Sequence, residues 1–500
     1  MRRRLAELCW PILLVLVAVP VFLLRVDGPD RVASGDSYWY MRQAQIFAGV
    51  DPATAASVAG RELCRDINRA SVAQGGKDGC RTYAIVASPR YQAIFHSRPG
   101  YPLFAAPFVA ALGAWTGMVA ATLVLALIAM LLAYLAVWLA TGLRLAGLVA
   151  SAALLLLPSG FWMTRMLVEG GTLAGCFAVL LGAMLTWRGR RLGLAVAAAG
   201  LAWLFAVRSA SGLAVALALL AASLVVAVPP RRPSRAAQIP SGSPGRYPGP
   251  EGPSGGPGRY PGAERLSGSP GRYPGPEYRP GLPLLTAGLA AVVLIGWAVV
   301  SSVWHLPSLN ETIQDMATIH FKKPDVADPL GYLAHANVKF WRRWLSETAH
   351  DPGAMASVAL AILVLAVRMR RAAVLWILVG LSGFALVVAH PLISQEPRLV
   401  NPMWIPVAVA LGWAAALLLR RGGRTSGAAG HLPRRKKSGP DDGRGRPGET
   451  QGGLSGPGAE GGSLGPGSEG RDRGGSLGPG EGAEQGGRAV PPVGVAEQQG

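Results

Sequence analysis

The stretch PILLVLVAVPVFLL, Pro11–Leu24, holds no charged or polar side chain. With its flanks it is long enough to cross the hydrocarbon core of a bilayer as a helix, which takes about 20 apolar residues. Similar windows recur along the 500 residues, and half of the chain is apolar. Mean hydropathy is +0.32. These runs exclude a soluble globular protein and predict an all-α, polytopic helical membrane protein. The start MRRRLAELCW is basic, but the nearest small-x-small triplet, Ala33–Gly35, lies well past the apolar run. The first helix is therefore expected to be a retained anchor and not a cleaved signal.

Basic clusters at the ends of apolar runs set orientation, because they resist translocation. Arg2, Arg3 and Arg4 put the N-terminus in the cytoplasm. Arg144, then Arg188, Arg190 and Arg191, then Arg231, Arg232 and Arg235, then Arg368, Arg370 and Arg371, and finally Arg420 and Arg421 all fall on that same side, if Pro102–Thr116 only dips into the outer face. Pro102 and Pro107 make that segment a poor straight helix. About ten spans result, with both termini inside and the protein multi-pass in the cell membrane. The net charge of +20 is explained by these flanks and by low-complexity segments, so no nucleic-acid partner is expected.

Four regions follow. Residues 1–228 form an N-terminal membrane region with a first outer loop at 25–101. Residues 229–280 are a linker, 281–421 a C-terminal membrane region, and 422–500 a Gly-rich tail. The linker repeats a 13-residue unit starting at Ser241, Ser254 and Ser267. Gly and Pro at that density bury too little apolar area to offset ordering entropy, so linker and tail are read as disordered.

Polar groups that could carry chemistry gather in the outer loops: Asp36 in GDSYWY, His96 and Arg98 in HSRPGYP, Arg165 and Glu169 in TRMLVEGG, Arg208 in AVRSASGL, and His390 and Arg398 in HPLISQEPRLVNP. Ionisable groups at the bilayer edge are costly and tend to face a functional cavity. Each also has a structural reading. Asp36 could cap the helix that starts near Ser37. Arg165 and Glu169, spaced i,i+4, could form an ion pair on one helix. Arg208 could reach to the interface with its stem buried. Tyr38, Trp39 and Tyr40 read as an interfacial aromatic belt. Cys64 and Cys80 share the first outer loop, where an oxidising compartment permits a disulfide. Four cysteines in two environments do not suggest a zinc site.

The order and common sidedness of these motifs resemble the GT-C superfamily of polyprenyl-phosphate-sugar-dependent glycosyltransferases. In that family an Asp follows the first helix, as Asp36 does, and a second acid follows a later span, as Glu169 does. Basic residues open or close further outer turns, matched by Arg98, Arg165 and Arg208, while EPRLVNPMWIP supplies Arg398 with Leu399 where the family often has Tyr. The resemblance implies a glycosyltransferase that moves a sugar from a polyprenyl-phosphate-linked donor, within membrane lipid, to an extracytoplasmic acceptor. Asp36 and Glu169 would be its catalytic acids, with a divalent cation (Mg or Mn) between them if one is used. The arginines would hold the lipid phosphate. A non-enzymatic transporter or flippase for a lipid or polysaccharide is the alternative, though the spans show no convincing internal repeat.

Overall fold

The computed structural model describes residues 2–81, 83, 88–228, 281–350, 352–369, 371–392 and 395–428. The repeat linker expected at 229–280 and the tail beyond 428 lie outside them. By contacts the chain divides into Met1–Gly423 and Arg424–Gly500. Of the second unit, residues 424–428 are described, the end of a helix that begins in the first.

Helix α1 (Arg2–Val26) contains the Pro11–Leu24 stretch. Its Leu14, Ala18 and Phe22 recur every fourth residue and are buried, whereas Ile12, Leu13, Leu16, Leu23 and Leu24 are exposed. One face thus packs on the protein and the rest is suited to lipid, as the 3.6-residue period requires. Four helices follow: α2 (Gly35–Phe47), α3 (Pro52–Ala73), α4 (Pro89–His96) and α5 (Gly100–Leu112). The last has 13 residues with Pro107 inside it. At 1.5 Å per residue it reaches about 20 Å, short of a bilayer's hydrocarbon thickness. It ends at Gly113, whose φ of 81° turns the chain into the next helix.

The main bundle comprises α6 (Ala114–Thr141), α7 (Arg144–Leu156), α8 (Pro158–Met163), α9 (Glu169–Trp187), α10 (Leu192–Val207) and α11 (Ser209–Ala227). Beyond the linker come α12 (Leu282–Val303), α13 (Leu309–Ala317), α14 (Pro329–His350), α15 (Gly353–Met369), α16 (Arg371–Ala389), α17 (Glu396–Leu399) and α18 (Trp404–Ala428), with a 3-10 turn at Asn401–Met403. No strand occurs among the described residues. Among the described residues, seven helices are long and apolar enough to cross a membrane, or eight if α14 and α15 count as one bent span. Seven of the about ten expected spans meet that length. The expected third, fifth and eighth are the shorter helices α7, α10 and α15, of 13, 16 and 17 residues.

Helix α9 is the centre of the bundle and is buried along almost its whole length. It meets α10 at backbone distance because small residues face each other. A Cβ built on Gly193 would lie 2.4 Å from the Thr186 backbone nitrogen, and one on Gly182 would lie 2.4 Å from that of Ala197. Close backbone approach through small residues is how membrane helices gain packing without a hydrophobic driving force. Gly193→Leu is accordingly expected to force α9 and α10 apart and sharply lower the folded yield in detergent. A fluorescence-detected size-exclusion profile unchanged from the parent would contradict this packing role.

Candidate functional site

The segment before Asp36 is pinned from α3. The Asp66 carboxylate accepts the backbone N–H groups of Val32 and Ala33, both at 2.9 Å. Arg69 pairs with Asp66 at 2.8 Å and donates to the carbonyls of Gly28 and Asp30. Helix α3 is itself fastened by a disulfide between Cys64 and Cys80. Ser34 occupies the N-cap position of α2. The N–H of Ser34 donates to the Ser37 hydroxyl at 2.9 Å, and that hydroxyl donates to the Met166 carbonyl at 2.8 Å. Ser34 and Ser37 therefore form the helix start, and the carboxylate of Asp36 is turned to other partners.

Those partners come from far along the chain. Arg398, on α17, donates from Nη2 to Asp36 Oδ2 at 2.7 Å and from Nε to Glu169 Oε1 at 2.9 Å. Arg208 Nη2 donates to the same Glu169 oxygen at 2.8 Å. Glu169 is the first residue of α9, and Arg208 is the extended residue between α10 and α11. Four helix ends thus meet in one chain of charges, Asp36–Arg398–Glu169–Arg208. Glu169, Arg208 and Arg398 are buried, and the other Glu169 oxygen, Oε2, has no hydrogen-bond partner among the described residues. The Asp36 side chain keeps 23% of its surface accessible, against 1% for Glu169. Asp36 is the member of the pair that a solute can reach.

Arg98, half-buried at the start of α5, makes no ion pair among the described residues, yet its charge acts on Asp36. Burial pushes the Asp36 carboxyl up, but the charges of Arg398, Arg98 and Arg208 and the Arg398 hydrogen bond outweigh it and hold the group below the usual carboxylate range. Asp36 is consequently ionised at neutral pH. Three guanidiniums face two carboxylates, which leaves a positive excess suited to an anion.

Three expectations change. Arg165 is not in this cluster: it pairs with Asp30 at 3.7 Å and lies over the Phe161 ring at 4.0 Å. The i,i+4 pair with Glu169 does not form because residues 165–168 are a bend between α8 and α9, not a helical turn. Tyr38, Trp39 and Tyr40 are buried instead of forming an interfacial belt. Trp39 stacks on Phe95 and Tyr40 sets its edge against Tyr101, at centroid distances of 5.4 and 5.5 Å. Two tyrosines, Tyr40 of that run and Tyr101 of the SRPGYPLF stretch, are packed beside the cluster. The buried Tyr40 hydroxyl has no hydrogen-bond partner among the described residues, and its ring feels Asp36, Arg98, Arg208 and Arg398. Its i,i+4 spacing from Asp36 was a readable signal. Tyr101, equally buried, shares a hydrogen bond of 2.8 Å with Thr122.

The donor set does not fit the divalent cation implied by the family resemblance. The guanidinium of Arg398 donates to both carboxylates, where a shared cation would bind. No group of three His, Cys, Asp or Glu that could hold a metal occurs among the described residues.

His390, one residue past α16, feels the same charges. Its imidazole is pushed down to about 4, chiefly by burial, with Arg398 and Arg98 adding to the effect and Asp315 and Asp36 opposing it. A histidine lowered on folding binds its proton more readily when unfolded. Stability is then independent of pH above the ordinary histidine value of 6.5 and falls as pH drops from there towards about 4. His390→Gln is expected to flatten that part of a melting-temperature profile against pH. An unaltered slope would show that His390 is not its source.

Together these features define an all-α polytopic membrane protein with an arginine-bridged carboxylate pair, one member buried and one accessible, where helix ends meet. No protein-family model, curated protein or solved structure matches the chain.

Proposed function

We propose that this protein is a membrane glycosyltransferase that moves a sugar from a polyprenyl-phosphate donor to an acceptor hydroxyl outside the cytoplasm. One observation carries the reading: an ionised, reachable carboxylate, Asp36, sits among three arginines in a membrane-embedded chain. The acceptor proton passes to Asp36 as the acceptor oxygen bonds to the anomeric carbon. The bond from that carbon to the phosphate oxygen breaks, and its electron pair leaves with the phosphate. Arg98 makes no ion pair among the described residues, and it meets the growing negative charge directly. Arg208 and Arg398 contribute their field from behind the carboxylates. Glu169 serves as a positioning residue, since both of those arginines rest on its Oε1.

The test is cell-envelope glycan analysis of a strain lacking the protein, complemented with the parent or with Asp36→Asn. Loss of one glycan, restored by the parent and not by Asp36→Asn, is the expected result. Restoration by both would remove the catalytic role and favour a transporter or flippase.

A further inference from the structure

Helix α14 buries only Phe340 fully, although it is 22 residues long. Its protein-facing sector is nevertheless well fixed. Asn337 Nδ2 donates to the Val388 carbonyl at 2.9 Å, and Trp344 Nε1 donates to Glu396 Oε1 at 3.1 Å. Trp341 and Trp344 both lie against Phe384, with ring centroids 6.2 and 6.1 Å apart.

The rest of the helix surface has two distinct halves. At 100° per residue, Leu330, Ala334, Val338, Leu345 and Ala349 fall on one stripe. Its large members are 67%, 51% and 60% exposed for Leu330, Val338 and Leu345. The neighbouring stripe carries His335, Lys339, Arg342, Arg343, Ser346 and His350, all exposed. Arg343 is paired with Glu347 at 2.7 Å, whereas Lys339 and Arg342 have no ion pair among the described residues. A helix facing water has no reason to display the apolar stripe, and one buried in hydrocarbon could not keep the basic stripe. A helix lying in the plane of a bilayer surface satisfies both, with its apolar side in the acyl boundary and its cations among the headgroups.

We propose that α14 is a bilayer-surface helix that sinks Leu330, Val338 and Leu345 into the acyl boundary and engages anionic lipid headgroups through Lys339 and Arg342. The partner is the lipid surface, and anionic lipid is favoured by the two unpaired cations. Because Trp344 holds Glu396, two residues before Arg398, this helix ties the membrane surface to the segment that carries the central arginine. The inference stands independently of the glycosyltransferase reading.

The test uses the full chain with Cys9→Ala, in nanodiscs of phosphatidylcholine with or without phosphatidylglycerol. Single spin labels are placed through Val338→Cys, Leu345→Cys or Ser346→Cys. Labels at 338 and 345 are expected to meet oxygen several-fold more readily than a water-soluble nickel chelate, and the label at 346 to show the reverse preference. Adding Lys339→Glu and Arg342→Glu should move the 338 label towards the chelate in phosphatidylglycerol discs and leave it unmoved in phosphatidylcholine alone. Chelate access at 338 and 345 equal to that at 346 would overturn the surface placement. Exclusion of both reagents from 338 and 345 would overturn it too, in favour of a protein covering the stripe. An unchanged 338 label in both lipids after the double substitution would overturn the anionic-headgroup contact.

Discussion

Replacing Glu169 by glutamine is expected to cost about 3–5 kcal/mol of stability, the usual penalty for removing one partner of a buried ion pair. The substitution preserves shape and leaves an oxygen that can still accept hydrogen bonds. It removes the charge on which two buried guanidiniums depend. Arg208 then has no ion-pair partner among the described residues, and Arg398 keeps only Asp36. Two cations that share one oxygen acceptor repel each other in a low-dielectric setting. Adding Arg208→Gln should recover much of the loss, because it removes the stranded charge. Thermal unfolding in detergent measures both variants. A parent-like melting temperature for Glu169→Gln would show that the network is not a stabilising feature. A further fall with the second substitution would show that charge balance is not the reason.

On the proposed glycosyltransferase function, Asp36→Asn should leave folding nearly intact and reduce sugar transfer by about 10²–10⁴-fold, the usual contribution of a positioned general base. Asparagine retains an oxygen for Arg398 and cannot accept the acceptor proton. Asp36 is partly accessible, so its lost charge leaves less of a burial penalty than that of Glu169. The measurement is transfer from a polyprenyl-phosphate sugar in membranes carrying equal amounts of parent and variant. Because neighbouring arginines hold the Asp36 carboxyl low, parent activity should show no Asp36-linked fall until pH drops below the ordinary carboxylate range, about 4. Equal transfer by parent and variant would assign the proton to another group.

The helical architecture was legible because membrane spans write themselves as uninterrupted apolar runs, Pro11–Leu24 being the plainest. Helix length was less legible. The apolar run from Leu192 to Val228 reads as two spans, but Arg208 leaves only 16 residues for α10. In the charged cluster, Asp36, Glu169, Arg98 and Arg208 were recognisable as polar groups at the ends of apolar runs. The relative weights of Arg165 and Arg398 were not. Arg165 stands four residues from Glu169, which invites a helical pair, yet the chain bends between them. Arg398 lies 229 residues from Glu169 and 362 from Asp36, and no local pattern records a contact at that range. The aromatic run at Tyr38–Tyr40 misled for a related reason. Interfacial and buried aromatics have the same composition, and only the arrival of Phe95 and Tyr101 decides between them.

The spacing of the charge network also sets an order of assembly. A ribosome delivers Asp36 first, then Glu169, and Arg208 only 39 residues later. The first half of the chain therefore holds both partners of the Glu169–Arg208 pair before the linker is made. Asp36 waits much longer, until α17 emerges near the end of synthesis. Until then only the charges of Arg98 and Arg208 are there to act on it. Arrival of Arg398 closes the cluster and reports that both halves of the protein have been inserted. A chain that stops short of α17 leaves Asp36 without the arginine that pairs with it.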